Sequence, residues 1–480
     1  MRFVKVLFLL VFSLSATEKP NVLLISIDDL NDWVGYMGGH PQALSPNMDK
    51  LANRGVAFLD AHCTSPLCNP SRSSLLSGLR EEKTGVFNNG QKFKFEKFEL
   101  LPQYFAKNGY VTYGSGKIHH QKKNSLMFQH AINPEQRWSP FQESKAVLYT
   151  KGELPSKGTD NPRHLIKNGP GAKDYVLPFN RMPSDRKPNN KSGESFDWQS
   201  FNLPDNAFGE GIVADWTIDK LKAHDKSKPF FLGVGFYRPH IPLYAPKKYF
   251  DLYPLDKVQL PKVLENDIDD LSEVGKKWAL EAITAGSHAT TIKHGEWKKA
   301  VQAYLACVSF VDAQIGKVLN YLDNSPYADN TIIVLFSDHG WHLGEKQHWG
   351  KWTGWNDSTS VPFIIVPPGS KKSENCKQPV SLLDIYPTLV EMAGLPPKQL
   401  DGISLANLVK KPKATTNRAI RILFNKGNFA LVNSDWRYIR YKEGEEELYN
   451  RKQDPHEFHN LAGKAEYKEV LEKMRQVKFQ

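Results

Sequence analysis

The stretch NVLLISIDD, residues 21–29, decides the fold class. Its first seven residues, Asn21–Ile27, are mostly apolar and rich in branched side chains, a pattern typical of a strand buried on both faces of a parallel sheet. The run stops at the acidic pair Asp28-Asp29. We therefore predict a buried strand that carries two carboxylates at its carboxyl end.

Strand-like and helix-like segments alternate along the rest of the chain. The strand-like segments are Tyr110–Tyr113, Pro229–Phe236, Thr331–Phe336 and Val361–Val366, and the helix-like ones are Pro46–Asn53, Pro102–Lys107, Ala207–Ala223, Trp297–Asn324 and Ser381–Met392. The longest of them, Trp297–Asn324, repeats apolar residues at i, i+3, i+4 and i+7. The alternation predicts an α/β fold, a large doubly wound and mostly parallel sheet flanked by helices.

Two long irregular segments, and a change in the pattern of predicted elements near residue 410, indicate the domain organisation. Residues 121–203 and 255–296 interrupt the alternation, and we predict the first to be an ordered surface excursion near a substrate entrance, with disorder as the alternative. Beyond residue 410, short antiparallel strands are predicted at Ala430–Val432, Trp436–Tyr441 and Glu447–Tyr449, before a terminal helix at Glu466–Val477. We predict a main α/β domain at residues 17–410 and a smaller C-terminal subdomain at residues 411–480.

Residues 1–16 have the features of a secretory signal peptide: a positive start, a short apolar run and small residues at its end. The apolar run is shorter than the about 20 residues that span a bilayer. We therefore expect an exported protein that is not held in a membrane after cleavage. Its location would be the periplasm or the medium, or the lysosome in a eukaryote.

Composition excludes several classes of protein. The chain has 480 residues, 40% of them hydrophobic and 24% charged, which is unlike collagen, a coiled coil or a wholly disordered chain. The net charge of +11 comes from scattered Lys and Arg, without a dense basic run. We therefore expect no nucleic-acid partner. The surplus of positive charge either attracts anionic substrates or only keeps the protein soluble.

The four cysteines are Cys63, Cys68, Cys307 and Cys376. A disulfide framework is one interpretation for an exported protein. Cys307 lies within the longest helical pattern, and we predict that it belongs to the core. Cys63 and Cys68 could pair with each other, but a chemical role for Cys68 competes with that pairing.

Charged and titratable side chains follow four predicted strand ends. They are Asp28-Asp29, Asp338-His339, His240 and the group Lys117, His119 and His120. In open α/β sheets, ligands bind outside the carboxyl ends of the strands. Carboxylates from two strand ends suit a hard divalent cation such as Ca²⁺. Taken singly, an Asp-Asp pair is also typical of a capped turn. A lone histidine is also typical of a surface or core residue without a functional role.

The segment CNPSRSSLLSGLR, residues 68–80, resembles the signature of the type I, formylglycine-dependent sulfatases of the alkaline phosphatase superfamily. Similar stretches follow in the family's order: ISIDDL at 25–30, GK at 116–117, FSDHG at 336–340, DIYPTL at 384–389 and LDGISL at 400–405. The strings RPHIP at 238–242, DHGW at 338–341 and LGE with WGK at 343–351 are most similar to the iduronate-2-sulfatase branch. That branch removes 2-O-sulfate from uronic acids, and bacterial relatives desulfate other polysaccharides.

The resemblance implies a mechanism and a set of residues. A maturation enzyme would oxidise Cys68 to formylglycine, whose hydrate attacks sulfur with one hydroxyl and later expels sulfate with the other. The implied Ca²⁺ ligands are Asp28, Asp29, Asp338 and His339; the other implied catalytic residues are Arg72 for the diol, Lys117 and Lys351 for the sulfate oxygens, and His240 as the acid. The general family pattern selects His119 as a further catalytic histidine, whereas the iduronate-type pattern selects His120, which is our prediction.

Five further side chains flank the predicted site: Arg238, Trp341, His342, Lys346 and Trp349. Arginine suits a carboxylate or sulfate, and tryptophan suits the face of a sugar. We predict that Arg238, Trp341, His342 and Trp349 contact substrate. The competing interpretation is that these side chains only shape the scaffold.

The predicted function is hydrolysis of sulfate esters on a sulfated saccharide, by exo 2-O-desulfation of a uronic acid or a related sugar. Two alternatives stay open. One is a phosphate or phosphonate monoester hydrolase on the same scaffold. The other is a non-catalytic glycan binder, which applies if Cys68 is not converted.

Overall fold

A computed structural model describes residues 19–140, 165–166, 175–176, 179–180, 182–186, 195–283 and 286–477. The predicted signal peptide and a large part of the predicted excursion at residues 121–203 lie outside these ranges. No helix of the described part is long and apolar enough to cross a membrane.

The strands are numbered along the chain. They are β1 Asn21–Asp28, β2 Val56–Phe58, β3 Ala61–His62, β4 Val111–Gly116, β5 His130–Ile132, β6 Leu165–Ile166, β7 Tyr175–Val176, β8 Trp198–Phe201, β9 Phe230–Pro239, β10 Leu243–Pro246, β11 Thr331–Ser337, β12 His342–Leu343, β13 Trp349–Gly350, β14 Phe363–Val366, β15 Glu374–Cys376, β16 Val380–Ser381, β17 Ile420–Asn425, β18 Asn428–Val432, β19 Trp436–Arg440 and β20 Glu446–Asn450.

The α-helices are numbered in the same way, and short 3-10 turns lie between them. They are α1 Pro46–Ala52, α2 Cys68–Ser77, α3 Glu81–Thr84, α4 Leu101–Lys107, α5 Gly209–Ala223, α6 Lys247–Phe250, α7 Glu273–Leu280, α8 His288–Lys293, α9 Trp297–Asp323, α10 Asn356–Thr359, α11 Ile385–Met392, α12 Ala406–Lys410 and α13 Lys468–Arg475.

The main sheet has eight strands in the order β15-β2-β14-β11-β1-β9-β4-β5. Strand β1 lies between β11 and β9, parallel to both, and all eight of its residues are buried. The predicted α/β fold with a mostly parallel sheet is therefore confirmed. The segment predicted at Val361–Val366 forms β14, which runs antiparallel to β11 and β2. An apolar run predicts burial but not strand direction.

Helices cover both faces of the sheet. Leu23 and Ile25 of β1 belong to one hydrophobic cluster with residues of α5 and α9, whereas Val22 and Leu24 belong to a second cluster with residues of α2, α4 and α11. Side chains alternate between the two faces of a strand, so β1 contributes to both cores. The helix predicted at Trp297–Asn324 is α9, and the predicted core residue Cys307 is fully buried within it.

The C-terminal region contains an antiparallel sheet in the order β17-β18-β19-β20. Three of its strands lie where the sequence predicts them, and β17 was missed. Leu431, Tyr438 and Leu448 of this sheet pack with α13 in a small cluster. Ile422 and Ile439 instead join the second cluster of the main sheet. The C-terminal sheet therefore shares a core with the rest of the chain.

One predicted helix divides into three elements. In the segment Ser381–Met392, Ser381 belongs to β16, residues Leu382–Asp384 form a 3-10 turn, and α11 begins at Ile385. The Ser381 Oγ accepts a hydrogen bond from the Leu383 N–H, at 3.2 Å, and the Asp384 carboxylate accepts one from the Ser381 N–H, at 2.9 Å. This capping interaction stabilises the tight turn before the helix.

Candidate active site

Cys68 lies at the start of a fully buried helix. It is the first residue of α2, after the extended residue Leu67, and all ten residues of α2 are buried. The helix ends at Gly78, whose φ of 70° is the left-handed conformation that glycine adopts without strain. The amino end of a helix carries partial positive charge, which favours a negatively charged group at position 68. All four cysteines are buried and none forms a disulfide, so Cys63 and Cys68 are unpaired here.

Two neighbouring strands bring the carboxylates together. Strands β1 and β11 are parallel, with Ile27 opposite Ser337, so Asp28 and Asp338 leave the sheet at the same edge. The Asp29 N–H donates to an oxygen of Asp338 at 3.2 Å. Asp29 has a φ of 61°, and this left-handed conformation turns the chain sharply after the strand. The register of the two strands thus assembles three buried carboxylates.

Arg72 links the helix to these carboxylates. It lies one helical turn after Cys68, on the same face of α2. Its Nε donates to Asp338 Oδ2 at 2.7 Å, and Nη2 donates to Asp28 Oδ1 at 3.2 Å. Further hydrogen bonds go to the Ser26 hydroxyl and the Lys117 carbonyl. Its predicted role toward the diol stays a prediction, since these contacts position the carboxylates.

Two buried lysines flank Cys68. Lys117 donates to Asp28, while Lys351 Nζ donates to Asp29 Oδ1 at 2.6 Å and to Cys68 Sγ at 3.1 Å. Burial alone would raise the pKa of the Cys68 thiol, but the two ammonium groups outweigh it and hold that pKa well below its usual value. The site therefore stabilises negative charge at position 68.

Burial and charge also act on the other groups of the site. Burial raises the pKa of Asp29 to about 7, against the opposing charge of Lys351. Burial disfavours a charged His339, but Asp338 reverses that effect and raises the pKa of His339 to about 9. His339 Nε2 lies 3.4 Å from Cys68 Sγ and 3.4 Å from Asp29 Oδ1.

Three of the four residues predicted as metal ligands lie in one group of possible donors with Cys68, and the fourth, Asp29, lies in an overlapping group with Asp28, Cys68 and His240. Donor atoms of Asp28, Cys68, Asp338 and His339 all lie within 4.8 Å of one another. The Oδ2 atom of Asp29 is buried and has no hydrogen-bond partner among the described residues. A buried carboxylate oxygen without a donor is suited to a metal ion, and three carboxylates are the kind of donor set that hard cations prefer.

A cleft of about 280 Å³ leads to this group of residues. It is lined by Leu67, Asn88, Asn89, Gly90, His120, Arg137, Arg186, Ser195, His240, Ile241, Ile283, Lys351 and Trp352. His240 Nε2 lies 3.8 Å from Asp29 Oδ2. The predicted residues His240 and Lys351 are therefore close to both the cleft and the carboxylates.

The structure separates the two adjacent candidate histidines. His120 is half-buried and lines the cleft. His119 is fully buried, lies 3.0 Å from the Ser73 hydroxyl through Nε2, and packs against the rings of Phe93 and Phe95. The choice of His120 over His119 as the catalytic histidine stays a prediction, and this placement is consistent with it.

The residues predicted to contact substrate lie inside the protein instead. The guanidinium of Arg238 is fully buried and donates to the carbonyl oxygens of Gln136, at 2.9 Å, and Tyr244, at 3.0 Å. Trp349 is only 1% exposed and packs against Phe196. Both side chains are therefore enclosed by other residues of the chain.

Three more of these side chains are buried. His342 Nε2 lies 3.0 Å from the Thr353 hydroxyl, and Lys346 forms a buried ion pair with Asp267 at 2.6 Å. The ring centroid of Trp341 lies 5.5 Å from Lys351 Nζ and 6.5 Å from the centroid of the His240 ring. The substrate contacts predicted for Arg238, Trp341, His342 and Trp349 stay predictions. These side chains and Lys346 are buried, as the scaffold interpretation expects.

Most residues of the cleft wall carry no signal in the sequence. Asn88, Asn89, Arg137, Arg186 and Trp352 come from loops without periodicity. One signal was available: Trp352 directly follows the predicted catalytic Lys351. The other four have no sequence neighbour that marks them, since only the fold brings these loops to the sheet edge.

Comparisons with known proteins identify the family of this chain. A family model described as Sulfatase matches residues 20–395, and one described as N-sulphoglucosamine sulphohydrolase, C-terminal, matches residues 344–479. A protein named sulfatase from Formosa agariphila is 36% identical over 467 residues, which cover 95% of this chain and 86% of that protein. The iduronate 2-sulfatase of Mus musculus is 31% identical over 421 residues, covering 80% of this chain and 70% of that protein.

A solved structure confirms the fold. The phosphonate monoester hydrolase of Agrobacterium radiobacter matches with a TM-score of 0.75 at 21% identity, covering 95% of this chain and 94% of that one. The family model covers most of the chain, and the resemblance read from the sequence is confirmed. The chain therefore belongs to the sulfatase family, and its activity is that of a sulfuric ester hydrolase.

Proposed function

We propose that this sulfatase removes the 2-O-sulfate from a terminal uronic acid, or a closely related sugar, of a sulfated polysaccharide. The observation that carries the proposal is the position of Cys68, at the amino end of α2 and within reach of Lys351 and His339. The proposal includes export of the protein, on the strength of residues 1–16.

The proposal requires a modified residue and a metal ion. Formylglycine made from Cys68 by a maturation enzyme would supply a hydrated aldehyde as nucleophile. Ca²⁺ would be held by Asp28, Asp29, Asp338 and His339, and it would supply Lewis-acid stabilisation of negative charge. The buried, unpartnered Oδ2 of Asp29 supports the ion. The low pKa of Cys68 supports a charged group at that position.

The lysines of the site would bind the sulfate group. A sulfate ester spreads negative charge over its oxygens, and cations that are already in place stabilise that charge without reorganisation. Lys351 lies 3.1 Å from the side chain at position 68, so its ammonium can reach an oxygen of a group bound there. Lys117 is fixed by Asp28 on the neighbouring strand end.

His240 would protonate the sugar oxygen that leaves. Its Nδ1 lies 2.6 Å from the Ile241 carbonyl, which fixes a hydrogen on Nδ1 and leaves Nε2 for the proton that is transferred. Burial, with the charge of Lys351, holds the pKa of His240 at about 3 in the free protein. An anionic substrate would raise that pKa, which favours a protonated His240 in the complex over the free protein.

The relatives support the sugar and the position of the sulfate. The relative from Mus musculus is named iduronate 2-sulfatase, and the strings RPHIP and DHGW of this chain resemble that branch. The phosphonate hydrolase shares the fold at low identity. Hydrolysis of phosphonates or phosphates is therefore the competing outcome of the test.

The test uses protein produced together with a formylglycine-generating enzyme. We expect free sulfate from 2-O-sulfated uronic acid disaccharides, a formylglycine in the peptide that contains residue 68, and loss of activity with a chelator that Ca²⁺ reverses. Cys68→Ala should be inactive. Cys376→Ala, which changes a buried cysteine of the edge strand β15, should stay active.

Three results would contradict the proposal at different levels. A turnover that survives in Cys68→Ala would refute the nucleophile. Release of only 6-O- or 4-O-sulfate would refute the position but not the sulfatase activity. Faster cleavage of an aryl phosphate or phosphonate than of an aryl sulfate would favour the alternative hydrolase.

A further inference from the structure

The buried guanidinium of Arg238 donates only to backbone carbonyl oxygens among the described residues. Besides Gln136 and Tyr244, it donates to the carbonyl oxygens of Arg137 and Ser139, both at 3.3 Å. Each of its three nitrogen atoms therefore donates to a backbone carbonyl oxygen, and a guanidinium can only donate hydrogen bonds. Through these hydrogen bonds, Arg238 holds the backbone of residues 136–139 against the end of β9. Arg137 belongs to this segment.

Arg137 is the arginine that this segment presents to the cleft. It lines the cleft together with His120, His240 and Lys351, next to the reaction centre. Its Nη2 donates to the Ser195 hydroxyl at 2.7 Å, and its guanidinium lies 5.5 Å from the ring centroid of Trp138. These contacts fix the plane of the guanidinium without neutralising its charge.

The guanidinium of Arg137 has an N–H group without a hydrogen-bond acceptor among the described residues. Its Nε is buried and has no hydrogen-bond partner among the described residues. Within the same ranges, no carboxylate lies within 4.0 Å of it, and the Ser195 hydroxyl is its only side-chain hydrogen-bond acceptor. A guanidinium that lines a cleft without a carboxylate partner is suited to bind an anionic ligand with two oxygens.

The other cations near position 68 are already engaged. Lys117 and Arg72 contact Asp28, and Lys351 contacts Asp29. These groups surround the place where the reacting sulfate must bind. A second anionic group on the substrate therefore needs a further cation that lines the cleft, and Arg137 is such a cation.

We propose that Arg137 determines specificity by binding the carboxylate of the uronic acid whose sulfate is removed. This inference rests on the proposed function and names how the sugar is recognised. A planar carboxylate matches the two parallel N–H groups of a guanidinium fork, which a lysine cannot reproduce. A sulfate on the neighbouring sugar would offer similar oxygens, so the test separates the two sources.

The test compares Arg137→Gln and Arg137→Lys with wild-type enzyme on four substrates. They are a 2-O-sulfated uronic acid disaccharide, the same disaccharide with its carboxylate reduced to an alcohol, a form with a further sulfate on the second sugar, and 4-nitrophenyl sulfate. We expect Arg137→Gln to lower kcat/KM about 10- to 100-fold on the substrates that keep the carboxylate. On the reduced disaccharide and the aryl sulfate the loss should stay below about 3-fold.

Two further measurements keep the test decisive. Lys122→Gln is the matched control, since it removes one positive charge near Tyr237 from a residue that does not line the cleft. It should leave the preference for the carboxylate unchanged. Competitive inhibition by the unsulfated uronic acid disaccharide should weaken by the same factor in Arg137→Gln, and Arg137→Lys should recover only part of both effects.

Each opposing outcome has its own meaning. Equal losses on all four substrates, or no loss on any, would overturn the role of Arg137. A loss that follows the sulfate on the second sugar would overturn the carboxylate as its ligand. Wild-type enzyme that cleaves the aryl sulfate but none of the disaccharides would refute the proposed function itself, and with it this recognition.

Discussion

At the scale of single residues, the adjacent histidines 119 and 120 show how the fold gives similar side chains different environments. His119 faces the rings of Phe93 and Phe95 and the Ser73 hydroxyl, whereas His120 reaches the cleft. Burial lowers the pKa of His119 well below its usual value, so it stays neutral. The two residues therefore offer a matched pair of substitutions.

We predict that His120→Gln lowers kcat at least about 100-fold, the usual effect of losing a general acid or base, with the melting temperature unchanged. His119→Gln should keep its turnover per folded molecule but lower the free energy of unfolding by about 1–3 kcal/mol, since it disturbs buried ring contacts. Steady-state kinetics and thermal unfolding of both variants check this. A folded His119→Gln without turnover, beside an active His120→Gln, would assign catalysis to the other histidine.

The same scale shows which site residues the sequence could predict. Cys68, Arg72 and the acidic pair after β1 occupy motif positions whose spacing places them at one sheet edge. Arg238 and Trp349 are also close to such positions, yet they face the scaffold. A motif indicates the chemical type of a residue and its place along the chain. The direction of the side chain depends on the local backbone, which is why Arg238 and not Arg137 was expected in the cleft.

At the scale of elements, periodicity predicted the strands and helices better than it predicted their pairing. The helix α9 and strand β1 have long, uniform patterns, and both lie where they were expected within one residue at each end. Strand β14 has the same apolar texture as its parallel neighbours but runs antiparallel to them. Direction follows from the connection between strands, and the loops that make those connections carry no periodic signal.

Strand β19 links the C-terminal sheet to the loop that follows Lys351. Its buried Arg437 pairs with Glu457 and donates to the Gly354 carbonyl at 3.0 Å, and to Thr359 Oγ1 and Asn356 Oδ1, both at 2.9 Å. These acceptors belong to α10 and the turn before it. Arg437 thus ties the C-terminal sheet to a segment that begins a few residues after the catalytic lysine.

We predict that Arg437→Met lowers the free energy of unfolding by about 3–5 kcal/mol, because it removes the ion-pair partner of the buried Glu457 carboxylate. Arg440→Met, at an exposed position of the same strand, should change it by less than about 0.5 kcal/mol. Denaturant unfolding of both variants measures the difference. Equal stability of the two would show that the buried ion pair contributes little.

At the scale of the whole molecule, the question is whether the predicted C-terminal subdomain, residues 411–480, folds independently of the main domain, residues 17–410. Ile422 and Ile439 of the C-terminal sheet pack in the same hydrophobic cluster as Val22, Leu24 and Phe231 of the main sheet. Polar contacts add to this shared core, since Trp355 donates to the Glu447 carboxylate at 2.7 Å. The pattern of apolar residues in the sequence changes at residue 410, but the hydrophobic cluster contains residues from both sides of that position.

We predict that a chain ending at residue 410 loses cooperative thermal unfolding and sulfatase activity together, because it exposes the apolar surface that β17–β20 cover. A chain ending at Val477, which keeps every described residue of the C-terminal sheet and α13, is the matched control and should unfold like the full chain. Calorimetry and sulfate release from 4-nitrophenyl sulfate give the two readouts. A chain ending at residue 410 that unfolds in one sharp transition and releases sulfate would establish residues 17–410 as an autonomous catalytic unit, and the shared cluster would then be an interface between two domains rather than a common core.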